Sequence, residues 1–307
     1  MKGEISNMNA LLEKMDKFVC NPKYRFSVCS VHGFYNWMSD EKYLKKKFKV
    51  ELGRELDLEN PSDFNEKLQW LKLHDRKEYY HKMVDKYEAK KYISEIVGEE
   101  YPVPLLGVWD SFQQIDFTSL PNEFVLKTTH DSGGVVICRD KSAFDFDKAR
   151  KKLSRSLQRN FFNVSREWPY KGVKPRIIAE KYLDERGGVL TDYKIFCFDG
   201  VPKIIYVSKD KADDPRTDFF DMDWNYLPIR MRDPGSEILP QKPLCFEKMK
   251  EIAEKLSNGH PHLRVDFYQV DGRLYVGELT FYHCGGFQEV RPAEWNKKMG
   301  EWIKINK

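Results

Sequence analysis

A hairpin pattern near the C-terminus restricts the fold of this sequence more than any other feature. Asp271-Gly272 is a tight-turn dipeptide between two apolar runs and predicts strand, turn, strand. Residues two apart on a strand share a face, which groups Arg264 with Asp266 and Glu278 with Thr280. We therefore expect an arginine and two carboxylates on one face of a sheet, a set that suits Mg²⁺ and phosphate oxygens. An exposed, salt-bridged hairpin has the same pattern, so the hairpin alone leaves both interpretations open.

Composition excludes several classes of protein. The chain has 307 residues, enough for a full core and two or three subdomains, and its 33% charged and 41% apolar residues fit a soluble globular protein. A net charge of +4 gives no support for nucleic-acid binding. We expect neither a signal peptide in residues 1–16 nor a transmembrane segment, because no apolar run approaches roughly 18 residues.

The six cysteines include no Cys-x-x-Cys pair, which argues against structural zinc and favours a reducing cytoplasm. The basic run from Tyr43 to Lys49 is predicted to be a solvated helix face rather than a membrane contact. A peripheral contact with a membrane or a glycan-assembly complex stays open.

The remaining pattern predicts an α+β protein with antiparallel strand pairs and flanking helices. The first sixty residues are expected to be mostly helical, and Ser62 is the expected N-cap of the next helix. Further helices are predicted at about Tyr79–Val97, Asp145–Leu157, Phe246–Leu256 and Pro292–Ile303. Strands are predicted at Phe124–Thr129, Val135–Cys138, Arg176–Leu183, Asp192–Phe198 and Pro202–Val207, after an extended segment at Tyr101–Trp109.

Two short patterns are candidate ligand contacts. Lys127 ends a strand before the turn Ser132-Gly133-Gly134, and a glycine-rich turn lets backbone N–H groups approach phosphate. The turn lacks the P-loop pattern, and no Gly-x-Gly-x-x-Gly follows a first strand. Glu180-Lys181-Tyr182-Leu183 ends another strand, where backbone groups could meet an adenine edge. Alone, the first pattern is more typical of an ordinary Gly-Gly hairpin with a chance lysine, and the second tetrapeptide carries almost no information.

Other catalytic patterns are weaker. Asp192 and Lys194 share a strand face, which places a further cation near the centre or in a surface salt bridge. His130 and His283 flank candidate loops, and no histidine has a metal-ligand spacing. The absence of a Gly-x-Ser-x-Gly elbow argues against serine catalysis.

The order of these pieces is more specific than any one of them. Together they resemble the ATP-grasp superfamily, which includes D-alanine–D-alanine ligase, and more closely its TupA-like family from polysaccharide biosynthesis clusters. The resemblance covers about Asn60 to Trp302. Its most specific stretches are Asn60–Trp70, Val84-Asp85-Lys86 on a helix, Phe124–Lys127 and Gly277–Phe281.

The resemblance implies an ATP site between two antiparallel α+β subdomains. It assigns phosphate contacts to Lys86 and Lys127, the phosphate-covering loop to Ser132, Gly133 and Gly134, and the adenine edge to Glu180, Lys181, Tyr182 and Leu183. It assigns Mg²⁺ to Asp266 and Glu278, with Thr280 beside them, and catalytic charge stabilisation to Arg264 and Lys194. Thr280 stands where the superfamily usually has an asparagine, and a hydroxyl is a weaker ligand, so a second Mg²⁺ stays open. Asp184 and Glu185 come early for a ribose contact, which Asp192 would make instead.

The resemblance also implies a division into residues 1–59, 60–123, 124–187 and 188–307, of which the last two would form the ATP-grasp subdomains. The expected reaction is cytoplasmic carboxylate–amine ligation through an acyl phosphate. The carboxylate would belong to a uronic acid or another acidic group of a cell-surface glycan, and the amine to an amino acid or amino alcohol. The charged, aromatic segment Ser208–Trp224 would read a substrate or be a surface insertion.

Two alternatives remain at this point. A glycosyltransferase of capsule or lipopolysaccharide assembly would use Asp-x-Asp, which occurs as Asp145-Phe146-Asp147 and Asp221-Met222-Asp223, outside any Rossmann-like frame. A non-catalytic ATP-binding scaffold is disfavoured by the joint presence of Arg264, Asp266 and Glu278.

Overall fold

A computed structural model describes residues 12–184, 190–209 and 214–305. Glu185, the expected boundary at 187/188 and residues 210–213 of the 208–224 segment lie outside these ranges, as does most of the 1–16 segment. Residues 12–20 are helical and precede the named elements.

The chain alternates helices with antiparallel strands. The helices are α1 Pro22–Val31, α2 Asp40–Leu52, α3 Phe64–His74, α4 Tyr80–Val84, α5 Glu88–Val97, α6 Phe146–Leu157, α7 Phe162–Ser165, α8 Phe246–Ser257 and α9 Ala293–Trp302. The strands are β1 Leu105–Trp109, β2 Phe124–Thr128, β3 Val135–Cys138, β4 Ile177–Lys181, β5 Thr191–Phe198, β6 Val201–Lys209, β7 Arg216–Phe220, β8 Tyr226–Leu227, β9 His262–Val270 and β10 Arg273–Thr280.

The strands form two sheets. One has four strands in the order β1-β4-β2-β3, and the other has six in the order β10-β9-β5-β6-β7-β8. Every ladder between these strands is antiparallel, which confirms the predicted α+β class. No helix in the described part of the chain has the length and apolarity needed to cross a bilayer.

Each sheet has its own apolar core. Leu126, Ala179 and Leu153 belong to the core between the small sheet and α6. Phe196, Val265 and Leu256 belong to a larger core between the six-stranded sheet, α8 and the helices before β1. Phe196 lies on the same face of β5 as Asp192 and Lys194, so this face of the six-stranded sheet is charged toward one end and apolar toward the other.

Two local expectations were wrong. The N-cap of α3 is Asp63, not Ser62: Asp63 Oδ1 accepts from Glu66 N at 3.0 Å, and Glu66 Oε2 accepts from Ser62 N at 3.0 Å. The N-cap of α3 thus lies one residue later in the sequence than expected.

The predicted helix Tyr79–Val97 is interrupted, so Lys86 does not lie on a helix. Asp85 Oδ1 accepts a hydrogen bond from Tyr87 N at 2.9 Å, and Lys86 N donates to Thr129 O at 3.1 Å. Arg176 Nη2 also binds the Asp85 carboxylate at 2.6 Å. These bonds offer the backbone an alternative to the helix and hold Lys86 against the end of β2.

Most of the described part of the 208–224 segment belongs to the sheet: residues 208–209 end β6, and residues 216–220 form β7. Thr217 to Phe220 in β7 are buried, and β7 pairs with β6 from Ile205 to Lys209. These residues are therefore part of the six-stranded sheet and not a surface insertion, and residues 210–213 of the segment lie outside the described chain.

Candidate active site

The register of the C-terminal hairpin decides which side chains meet. A regular two-residue hairpin at Asp271-Gly272 would place Gly277 opposite Asp266. The observed ladder shifts between Val276 and Glu278, so that Glu278 pairs with Asp266. This bulge returns Glu278 to the face that carries Asp266.

The glycine at the bulge has a packing reason. A Cβ on Gly277 would lie 2.5 Å from Cε2 of Tyr268, which is far closer than side-chain atoms tolerate. The Tyr268 ring thus lies directly against the bulged backbone. With the Tyr268 ring in this position, only glycine fits at residue 277 of the bulge.

Arg264, Asp266 and their neighbours form a dense charged cluster on this face. Arg264 donates to Asp266 through Nε at 2.7 Å and Nη2 at 2.8 Å, and Nη2 also donates to Thr280 Oγ1 at 3.0 Å. From β5, Lys194 Nζ lies 3.5 Å from Asp266 and 3.2 Å from Asp192. The structure therefore brings together the predicted catalytic pair, one predicted metal ligand, Thr280 and Asp192.

Charges within the cluster stabilise its ionised members. Burial alone would lower the pKa of Lys194, but Asp266 and Asp192 outweigh it and raise that pKa. Burial likewise opposes the charge of Arg264, and Asp266 again raises its pKa. Both groups are cations at neutral pH, as the stabilisation of developing phosphate charge requires.

His283 completes the arrangement around Arg264. Its Nδ1 lies 2.6 Å from Arg264 Nη1 and must accept this hydrogen bond, because a guanidinium has only donors. Burial first, and then the charge of Arg264, lower the pKa of His283 well below its usual value. A neutral His283 thus orients the guanidinium, and the histidine's position next to the hairpin was the signal for it.

The metal-ligand candidates are two carboxylates rather than a closed cage. Among the described residues no group of three or more His, Cys, Asp or Glu side chains forms a metal site. The Glu278 side chain is 34% exposed, and its ion-pair partner Lys86 Nζ is 4.0 Å away. Mg²⁺ is commonly held by one or two carboxylates together with substrate phosphates, so Asp266 and Glu278 fit it in that mode.

A first cavity of about 580 Å³ lies between the two sheets. Its lining residues come from β2, the loop after β2, the end of β4 and the facing strands β5, β9 and β10. The predicted residues among them are Lys86, Lys127, Ser132, Gly133, Glu180, Lys181, Tyr182, Leu183, Asp192 and Glu278. Val103, Leu190 and Tyr268 add apolar surface on which a planar ring can pack.

Glu180 is the buried centre of this cavity. Lys127 Nζ lies 2.6 Å from one carboxylate oxygen, and Lys90 Nζ lies 2.5 Å from the other. Burial would raise the pKa of Glu180, but the two lysines outweigh it and lower the pKa. Lys90 was not foreseen, because its contact depends on how α5 packs behind β4.

The end of β4 offers both backbone and side-chain groups. Lys181 N donates to Pro104 O at 2.9 Å, which fixes the strand end against the proline-framed segment. Arg139 Nε donates to Tyr182 Oη at 3.0 Å. These contacts hold the predicted adenine edge in place.

The loop after β2 is fixed at its base and open at its tip. Lys86 Nζ donates to Asp131 O at 2.6 Å, while the Asp131 carboxylate accepts from the hydroxyls of Thr128 and Ser156. Gly133 has φ +97° and nothing within 4 Å of a built Cβ. Ser132 and Gly133 thus face the cavity on a loop whose base is fixed.

Gly134 is buried, unlike the exposed Gly133 before it. A Cβ on Gly134 would come within 1.8 Å of Thr128 Oγ1 and 2.3 Å of Ser156 Oγ. Its carbonyl accepts from Thr128 N at 2.8 Å. The geometry gives Gly134 a packing role under the loop, and its predicted ligand contact stays a prediction.

A second cavity of about 640 Å³ adjoins the first, and Ser132 and Glu278 line both. Its wall near the hairpin carries Lys194, Arg264, Asp266 and Thr280. The charged cluster therefore lies at the boundary between two cavities, each large enough for a small-molecule ligand.

Lys47 and Glu167 are two of the charged residues of the second cavity that sequence reasoning missed. Lys47, in the run predicted to be solvated, is only 7% exposed and lines the cavity with Glu51. Tyr43, Leu44, Lys47 and Phe48 are all buried, a helical spacing that marks one face of α2 as internal.

Glu167 is the second of these two residues. It is 5% exposed and accepts from Ser165 Oγ at 2.5 Å. Burial raises the pKa of its carboxyl group. The sequence carried no signal for Glu167, because its burial arises from packing of the loop between α7 and β4.

A polar row on α3 supports the far wall of the second cavity. Asn65 Nδ2 donates to Gln288 O at 2.9 Å, Gln69 Nε2 to Gly286 O at 3.0 Å, and Lys72 Nζ to Gly285 O at 2.6 Å. The three side chains are buried and spaced like one face of a helix. They fix a turn in which Cys284, Gly285 and Gly286 all have positive φ.

The remaining motifs have structural uses. Asp145 is the N-cap of α6, and Asp221 Oδ1 accepts from Asp223 N and Asn225 N in the turn between β7 and β8. His130 Nε2 lies 3.0 Å from Arg159 O. Capping and turn formation thus account for both Asp-x-Asp sequences, which removes the signal that favoured a glycosyltransferase.

One protein family and several solved structures are similar to this chain. A family model described as TupA-like ATPgrasp matches residues 66–304. D-alanine–D-alanine ligase from Bacillus anthracis complexed with ATP is 18% identical over 65% of this chain and 55% of that chain, with a TM-score of 0.40. The Helicobacter pylori D-alanine–D-alanine ligase is 12% identical over 81% and 69%, with a TM-score of 0.44.

A third solved structure, the ADP complex of N5-carboxyaminoimidazole ribonucleotide synthetase, is 18% identical over 71% of this chain and 51% of that chain, with a TM-score of 0.44. The chain spans just over half of the length of the first of these ligases. No curated protein matches the chain.

Proposed function

Because the chain belongs to the TupA-like ATP-grasp family, we propose that it is an ATP-dependent carboxylate–amine ligase. The observation that carries the proposal is the meeting of two cavities at Glu278 and Ser132, beside the cluster of Arg264, Asp266 and Lys194. One cavity suits a nucleotide, and the other suits an acceptor whose reacting group must approach the terminal phosphate.

In the first cavity, Val103, Leu190 and Tyr268 pack against the adenine of ATP, and the end of β4 binds its edge. Lys86 and Lys127 contact phosphates, and Ser132 and Gly133 cover them. Asp266 and Glu278 would hold Mg²⁺, which would neutralise phosphate charge there. Asp192, on the wall between Lys194 and Tyr268, is the ribose candidate.

The reaction has two steps. A carboxylate oxygen of the acceptor attacks the terminal phosphorus of ATP, the bond to the bridging oxygen breaks, and ADP leaves with that electron pair. The amine nitrogen then attacks the acyl carbon, phosphate leaves with the electrons of the C–O bond, and the amine proton passes to the departing phosphate. Arg264 and Lys194 stabilise the negative charge that develops in both steps.

The acyl phosphate intermediate must be protected from water. Ser132 and Gly133 stand on a loop whose base is fixed by Lys86 and Asp131, so its open tip can cover the reacting atoms. Loss of this cover would release ADP without forming an amide.

We further propose a uronic acid or another acidic group of a cell-surface glycan as the carboxylate. The amine is an amino acid or an amino alcohol, and the enzyme works in the cytoplasm. The resemblance to proteins of polysaccharide biosynthesis supports this choice, and the mixture of charged and aromatic residues in the second cavity suits a sugar.

The deciding experiment measures ADP release from Mg-ATP with pools of uronic acids, sugar nucleotides and amines, and UDP-sugar binding in parallel. ADP release that requires both a carboxylate and an amine supports ligation and identifies the substrate classes. Binding of a UDP-sugar without ATP binding would overturn the proposal, and ATP binding without turnover would indicate a scaffold.

A further inference from the structure

The helical region before residue 60 contributes to the second cavity, although the family match begins at residue 66. Lys47 and Glu51 of α2 line this cavity together with Arg264 and Glu278. A region outside the matched part of the chain thus shapes the space where the acceptor would bind.

The region is firmly attached to the other walls of that cavity. Tyr43 Oη donates to Val164 O at 2.8 Å, and Arg166 Nη2 donates to Tyr35 O at 3.0 Å. Phe287 belongs to the same apolar core as Phe26 and Tyr43. Position and orientation of α2 are therefore set by the loops that line the cavity.

Lys47 has an environment suited to an anion. Its Nζ lies 5.0 Å from the centre of the Phe287 ring and 5.6 Å from that of Phe26. Within the described chain its ion-pair partner is Glu51, with Nζ 3.2 Å from Oε1, and the carboxylate of Glu167 on the same cavity also attracts it. An ammonium has three donors, so one hydrogen bond to Glu51 leaves capacity for a ligand.

The pair with Glu51 alone does not account for this burial. A lysine placed four residues before a glutamate is the less favourable order for a helical ion pair, and such pairs stabilise a helix only weakly. The Lys47 side chain is nevertheless just 8% exposed. A buried ammonium on a cavity wall is a ready partner for a charged ligand group.

We propose that Lys47 binds a second anionic group of the acceptor, a carboxylate or phosphate remote from the reacting carboxylate. This inference rests on the proposed function, which identifies the second cavity as the acceptor site. The helical region before residue 60 then acts as the specificity element of the ligase, and Glu51 competes with the substrate anion for Lys47.

The test uses the full chain with its nucleotide site filled by Mg²⁺ and a non-hydrolysable ATP analogue. Inorganic phosphate is titrated calorimetrically into the wild type, Lys47→Gln, Glu51→Gln and the control Lys45→Gln, whose side chain is exposed and paired with Glu41. Thermal unfolding of each variant shows that it remains folded.

An anion subsite predicts opposite effects for the two members of one ion pair. Lys47→Gln should weaken phosphate binding at least about tenfold, Glu51→Gln should strengthen it, and Lys45→Gln should leave it unchanged. A structural pair would give two variants with similar loss of stability and unchanged phosphate binding, which would overturn the proposal, as would a wild type that binds no phosphate.

Steady-state kinetics provide an independent test of the Lys47 subsite. With a carboxylate substrate found in the ADP-release screen, Lys47→Gln should raise its KM and leave the KM for ATP unchanged. Because phosphate binding needs no turnover, failure of ligation and failure of the Lys47 subsite give different results.

Discussion

Glu278 pairs with Asp266 across the β9–β10 ladder, one position away from the register that the Asp271-Gly272 turn alone would set. The shift places both carboxylates on the face that also carries Arg264 and Lys194. The bulge at Gly277 is thus what assembles the charged face of the site.

Replacing the carboxylate of Glu278 tests the metal assignment. Glu278→Gln should reduce ADP formation by at least about a hundredfold, because it removes one of two anionic metal ligands. The fold should persist, since the side chain is 34% exposed and its ion pair with Lys86 spans 4.0 Å. Steady-state ADP release and the urea midpoint are the measurements, with exposed Glu254→Gln as the control. Full activity in Glu278→Gln would refute the assignment.

The bulge itself is testable through Tyr268. In Gly277→Ala the new Cβ would lie 2.5 Å from Tyr268 Cε2, so the ring must leave its place in the first cavity. We expect the KM for ATP to rise several-fold to about tenfold, with a smaller change in kcat. The double variant with Tyr268→Leu should bind ATP no more weakly than Tyr268→Leu alone, because the two changes act through one contact. Additive losses would contradict this account.

Lys90 should control how the protein responds to acid. The pKa of Glu180 is lowered in the folded chain, so its contribution to stability is present above the pKa of the unfolded chain and is lost as pH falls through the lower, folded value. Lys90→Gln removes one of the two cations and raises that folded pKa. Acid unfolding, followed by tryptophan fluorescence, should then occur at higher pH than in the wild type. Neighbouring Lys91→Gln, an exposed change, should leave the acid midpoint where it is.

Substituting each of the two loop glycines, Gly133 and Gly134, should lower the free energy of unfolding by different amounts. Gly134→Ala forces a Cβ against Thr128 and Ser156, whereas Gly133→Ala meets only open space and the strain of φ +97°. Such backbone strain costs about 1–3 kcal/mol, so Gly133→Ala should lower the free energy of unfolding by that amount and Gly134→Ala by more. Urea denaturation gives both values, and the reverse order would mean that the loop packs differently.

Much of the site could be predicted because strands and tight turns depend on local sequence. Alternation placed Arg264 with Asp266 and Asp192 with Lys194, and the Lys127 and Glu180 strands lie side by side as antiparallel neighbours. The family resemblance was confirmed over residues 66–304.

What the sequence did not reveal depends on contacts between distant parts of the chain. The register after Gly277 depends on the Tyr268 ring, and the break before Lys86 depends on Arg176 and on the carbonyl of Thr129. Lys47 and Glu167 become buried only when residues 161–170 and the turn at residues 284–286 pack against helices α1 to α3. The spacing of residues within one helix or strand cannot predict such long-range contacts.

The polar row on α3 restricts when this protein can become active during synthesis. Its bonds join Asn65, Gln69 and Lys72 to backbone atoms more than 200 positions later in the chain. Contacts of such long range form late, because a large loop must close before they do. In a chain still being translated, the three side chains lack these backbone acceptors until residues 285–288 leave the ribosome. Both cavities also use side chains of the β9–β10 hairpin, so neither is complete until the hairpin and the turn at residues 284–286 have folded onto the earlier strands and helices.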